Sequence, residues 1–171
     1  MRLGITLLRT VVGALFIGHG LQKLAGWFGG YGLKATGGAF EQMGFKPGVV
    51  HAGAAGAAET LGGVMLMTGV ATPAATAMVT GTMTTAIERV HWQKGIWNTE
   101  GGFEYNAVLV AAAAAIADED DGPAWALAGL AAGVLGGLAV AKLIAPAPKP
   151  EESAVRFDRE GEQVPTGSTA G

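Results

Sequence analysis

Residues 3 to 22 read LGITLLRTVVGALFIGHGLQ, with Arg9 their one residue of fixed charge, and four later stretches at about 49 to 70, 73 to 90, 102 to 117 and 123 to 145 are nearly as apolar. That recurrence constrains the fold more than any other feature of the chain. A helix crosses the hydrocarbon core of a bilayer in roughly 20 apolar residues, and such a segment leaves no polar face for water. In lipid every backbone N–H and C=O must be satisfied within the protein, which selects helices over an open sheet. Only 15% of the 171 residues are charged and 50% are hydrophobic, with a mean hydropathy of +0.37; a typical soluble domain is about 25% charged. The expected fold is all-α, a polytopic transmembrane helix bundle. A four-helix core occupies 1–117, an acidic turn and a fifth C-terminal span follow over 118–145, and a charged, proline-punctuated tail over 146–171 is expected to be disordered.

The first stretch reads as a span and not a cleaved leader, because it ends in Gly-His-Gly without a small-x-small cleavage site. Cysteine is absent, so this chain supplies no disulfide, thiol or cysteine-ligated iron–sulfur chemistry, and a redox role needs a bound cofactor or a partner. The net charge is −3 and no basic run suggests nucleic acid. Membrane lipid is the expected surrounding, at the cell membrane in a multi-pass arrangement.

Punctuation places the helix ends. Gly69 suits a helix C-terminus, and Thr72-Pro73 offers an N-cap followed by proline at the first helical position, so the second and third long helices should form a tight hairpin. Ala39, Phe40 and Met43 recur at helical spacing until Gly44 and Pro47 stop the pattern, which predicts a short amphipathic helix at the interface. Trp27, Phe28 and Tyr31, with Trp92, Trp97, Phe103 and Tyr105, form the aromatic belt expected at headgroup level.

Alternating directions bring the end of the first long helix, the start of the second, the end of the third and the start of the fourth to one end of the bundle. His19, Lys23, His51, Glu88, His91, Glu104 and Asn106 all fall there. Glu59 lies eight residues past His51, about 12 Å deeper on nearly the same face. A charge at that depth is costly and must be neutralised or paired. The stripe Thr80, Thr84, Glu88, His91 is the expected partner. Glu59 and Glu88 are the candidate proton-handling, catalytic pair; His19, Lys23, His91, Glu104 and Asn106 are the candidate ligand-binding set.

Each of these has a plainer alternative. Glu59 can be a buried hydrogen-bonding group that only fixes helix packing. Glu88 and His91 have the i, i+3 ligand spacing that di-iron bundles use twice, but here it occurs once, so no metal site is expected. Haem ligation by facing histidines competes with ordinary headgroup contacts. Lys23 can snorkel its charge to the surface. Gly53, Gly56, Gly62 and Gly63 read as close-packing positions before they read as function, and Met65, Met67, Met78 and Met83 as core fillers or walls of a flexible apolar pocket.

The segments GHGLQKLAGWFGG, AETLGGVMLMTGVATPAA and HWQKGIWNTEGGFEYN, in this order over about residues 3 to 117, resemble the DoxX family of small integral membrane proteins. Carried over residue by residue, the matching positions are His19, Lys23, Glu59, Glu88, His91, Asn98, Gly101, Gly102, Glu104 and Asn106. The resemblance implies a four-helix core and membership of membrane redox complexes linked to sulfur compounds, quinones and oxidative stress. The 123 to 145 stretch and the tail depart from the four-helix pattern. Together these lead to an integral membrane subunit of an oxidoreductase complex that binds a quinone or similar lipophilic ligand at the polar end of the bundle. At most it is a quinone-interacting oxidoreductase subunit, with electrons reaching it from soluble or membrane redox-protein partners. The alternative is a non-catalytic scaffold or assembly factor that recruits such an enzyme. Self-association is open to either.

Lysine and arginine placement favours the fifth span. With it, Lys23, Lys34, Lys46, Arg89, Lys94, Lys142, Lys149, Arg156 and Arg159 share one side against Arg2 and Arg9, nine against two; without it the last four cross over and the split is five against six. Positive charge marks the cytoplasmic side, which puts the histidine end there.

Overall fold

The protein's structure, a computed structural model, describes residues 3–144 together with the backbone of two short paired segments, Arg156–Phe157 and Gln163–Val164, antiparallel with Arg156 opposite Val164. The remainder of the 146–171 tail, expected to be disordered, lies outside the described residues. Residues 3–144 form helices α1 (Leu3–Leu24), α2 (Gly32–Gln42), α3 (Gly48–Thr68), α4 (Thr72–Ala86), α5 (Glu104–Asp121) and α6 (Pro123–Ala139). A π turn, Ile87–His91, prolongs α4, and another, Val140–Ile144, prolongs α6. The five apolar stretches thus become α1, α3, α4, α5 and α6, and the expected interfacial segment becomes α2.

Among the described residues three helices are long and apolar enough to cross a membrane: α1, α3 and the continuous run Pro123–Ile144. Their outer surfaces agree. On α1, Leu3, Leu7, Val11 and Leu15 stand four apart on one face, 73%, 56%, 56% and 40% exposed. In water so continuous an apolar stripe is an aggregation surface; facing acyl chains it costs nothing. Inside, Val12, Phe16, Leu66, Val79, Leu109 and Ile116 make the core.

Without a hydrophobic drive between helices in lipid, close approach at small residues does the packing. α1 and α3 run antiparallel in a fixed register, Gly13 against Gly63 and Gly20 against Gly56, so that a Cβ on any of the four would strike the opposing helix. α6 runs parallel to α4 by the same device: Gly129 meets Pro73, Gly133 meets Ala77 and Thr80, and Gly137 meets Gly81 and Thr84. The Thr85 hydroxyl fastens this seam by donating to the Gly137 carbonyl at 3.2 Å.

Gly69 ends α3 in the left-handed region, φ +74°, as expected. Thr72 does not cap α4: Ala71 takes the capping place, and Thr72 is the first helical residue, fully buried, donating its hydroxyl to Asp121 at the end of α5. Beside it Arg9 pairs with Asp120 at 2.5 Å. One end of the bundle is therefore tied from α1 and α4 to the acidic turn. The start of α3 is capped from outside the helix, the Gly48 N–H donating to the Glu41 carboxylate of α2 at 3.1 Å.

Candidate functional site

The opposite end gathers the C-terminal ends of α1 and α4 with the N-terminal ends of α3 and α5, and there a cavity of about 730 Å³ opens. Its polar lining is His19 and Lys23 from α1, His51 and Glu59 from α3, Thr82 and Thr85 from α4, Arg89 and His91 from the π turn, Asn98 from the following loop, and Tyr105 and Asn106 from α5.

Within it Glu59, 3% exposed, accepts from the Lys23 ammonium at 2.5 Å. Lys23 also donates to the His19 carbonyl at 3.3 Å, one turn back along α1. An acid held this deep needs a cation or a proton, and α1 provides the cation. This corrects the expected pairing with the Thr80, Thr84, Glu88, His91 stripe of α4. Thr80 and Thr84 face the glycines of α6, which occupies the flank of α4 that the stripe requires.

The π turn parts Glu88 from His91. An i→i+5 hydrogen bond adds a residue to the turn, so residues three apart no longer share a face as they do in an α-helix. His91 lines the cavity, its Nδ1 donating to the Gly101 carbonyl at 2.6 Å, which leaves Nε2 as the acceptor of the neutral ring. Glu88 does not line the cavity. It pairs with Lys142, on the π turn that prolongs α6, at 3.5 Å and borders an adjoining cleft with Gln42, Trp92 and Gln93. Glu104 also stays outside the lining; it begins α5, its N–H donating to the Ile96 carbonyl at 2.9 Å. The sequence-level site thus divides: His19, Lys23, Glu59, His91 and Asn106 come together with His51, and Glu88 and Glu104 do not join them.

Arg89 was not among the candidate ligand residues. It reaches across to donate to the Met43 carbonyl and lies over the Phe45 ring, 5.7 Å from its centroid. Phe45, 1% exposed, packs in turn on His51 with ring centroids 5.5 Å apart. In the sequence Arg89 counted only among the positive charges on one side of the membrane, because nothing local announces that α2 and Phe45 fold back over the helix ends. The Asn106 amide donates to the Met83 sulfur at 3.3 Å. Lys23 and Arg89 against Glu59 leave one surplus cation at the cavity, with three imidazoles besides. Such a set suits oxygens that gain negative charge and protons.

The other walls are apolar, and much of them comes from α6 and the π turn that prolongs it: Ala132, Gly133, Gly136, Gly137, Val140 and Ile144. Among the described residues no group of three or more His, Asp or Glu side chains is placed to hold a metal ion.

The family model of DoxX matches residues 4–92, just over half of the chain. The chain belongs to the DoxX family. Within this DoxX protein the matched region supplies α1 to α4 and with them Lys23, Glu59, Arg89 and His91, whereas α5 and α6, which complete the cavity, lie beyond it. No curated protein and no solved structure matches the chain. Family, apolar helices and lipid-facing surfaces agree on a membrane protein.

Proposed function

We propose that this DoxX protein is an integral membrane subunit of an oxidoreductase complex in the cell membrane and that its cavity holds the ring of a quinone. The observation that carries the reading is the joining, in one cavity, of a half-buried Lys23–Glu59 pair and three histidines to apolar walls. A quinone has that dual character: two oxygens that need hydrogen-bond donors and a supply of protons, and a body that belongs in lipid. The residues present fit it. His19 and His51 stand as donors or acceptors according to tautomer, His91 presents its Nε2 as an acceptor, and Arg89 and Lys23 bias the site toward oxygens bearing negative charge. Glu59, already hydrogen-bonded to Lys23, is placed to hold or pass on a proton. When bound, the quinone supplies the two-electron chemistry. The chain has no cysteine, and the electrons come from a partner redox protein.

A solvent extract of the protein purified in mild detergent should contain a quinone at close to one per chain. A quinone-free extract from a protein that instead retains a stable redox-enzyme partner supports the scaffold reading. The lysine and arginine split gives the orientation that goes with it: five spans, with the histidine end and the tail cytoplasmic. Reporter fusions at Asp121 and Gly171 are expected to report opposite sides of the membrane, and reports from the same side contradict the five-span arrangement.

A further inference from the structure

We infer that α6 builds a tail channel: the groove over α4 between α3 and α6 receives the prenyl tail of the quinone, and Gly136 sets its width. The inference rests on the quinone reading above. The cavity does not end at the polar cluster. It continues along α4 from His91 back to Ala77, fourteen residues and so about 20 Å at 1.5 Å per residue. One ring leaves most of that length empty.

The extension is lined by Ala54 and Ala58 on the α3 side, Met78 on α4 and Ala132 and Gly136 on the α6 side, while the hydroxyls of Thr82 and Thr85 are taken up by carbonyls of α4 itself. Ala54, Met78, Ala132 and Gly136 are exposed, so the groove opens sideways on the surface that faces acyl chains. A tail can therefore enter from the bilayer while the ring stays at the polar end. An apolar chain gains little from merely leaving lipid for protein, so selectivity here depends on fit.

Gly136 is the position where fit is set. The neighbouring glycines of α6 are explained by packing, because a Cβ on Gly133 or Gly137 would strike α4. At Gly136 a Cβ meets nothing within 4 Å. A glycine inside a helix is less favourable than alanine by roughly 0.5–1 kcal/mol, and no helix contact calls for one here. Its missing side chain leaves the groove open.

The test compares two quinones with one headgroup, one carrying a single isoprene unit and one a long prenyl tail, titrated into wild-type and Gly136→Leu protein in nanodiscs. Affinities are expressed as mole fraction in the lipid, which removes simple partitioning. Leucine is a good helix former and has open space at this site, so the variant should fold. The expected result is a wild-type preference for the long tail of about tenfold, abolished in Gly136→Leu, with the short analogue bound equally by both proteins. Binding of both quinones without tail preference, or a preference untouched by Gly136→Leu, overturns the channel and leaves the quinone reading standing. Failure of both to bind the wild-type protein overturns the quinone reading and this inference with it.

Discussion

Lys23→Met should be the most damaging single substitution at the cavity. It keeps the length and packing of the side chain but leaves Glu59, 3% exposed, without the cation 2.5 Å away. Removing one partner of a buried pair costs about 3–5 kcal/mol, because the remaining charge is stranded in a medium that cannot solvate it. Lys23 keeps 24% of its side-chain surface accessible, so the lower end of that range applies. The double variant Lys23→Met, Glu59→Leu is expected to regain most of the loss, since replacing both members by apolar groups of similar volume is often neutral or stabilising. Thermal unfolding of detergent-purified protein checks both arms. A single variant as stable as wild type contradicts the account of the pair. A double variant as unstable as the single one shows that the loss does not come from stranding the Glu59 charge.

The helices and their order were legible because lipid imposes a length and a composition on each crossing segment. Gly69 and Pro73 punctuated the α3–α4 turn for local reasons, glycine accepting a positive φ and proline tolerating the first helical turn. Gathering His19, Lys23, His51, Glu59, His91 and Asn106 at one end required only the alternation of helix direction. Partnerships within the cluster were less legible, since they depend on helix rotation and on which neighbour claims each face. Thr80 and Thr84 share a face with no visible claimant until Gly133 and Gly137 of α6 are laid against it. The i, i+3 relation of Glu88 and His91 presumed a regular α-helix, and the π turn at Ile87–His91 undid it. Arg89 and Phe45 meet only because α2 folds back over the helix ends, a tertiary event with no local sequence mark. The apolar 123 to 145 stretch read as an addition to a four-helix core, yet as α6 it supplies a wall of the cavity.

Binding of a quinone ring at the polar end of this cavity is measured by equilibrium titration of menaquinone and ubiquinone analogues into the protein in nanodiscs. Wild-type protein is compared with a His19→Ala, His91→Ala double variant. Both histidines line the cavity from different helices, and neither takes part in the Lys23–Glu59 ion pair through its ring. The variant should therefore stay folded, which its thermal transition checks. Loss of two hydrogen-bonding groups at the ring should weaken binding by about tenfold to a hundredfold, taking roughly 1 kcal/mol or somewhat more for each. Saturable binding to wild-type protein at about one quinone per chain, weakened to that extent in the folded variant, is the result this account predicts. No saturable binding to the wild-type protein, or equal binding by the folded double variant, would contradict it.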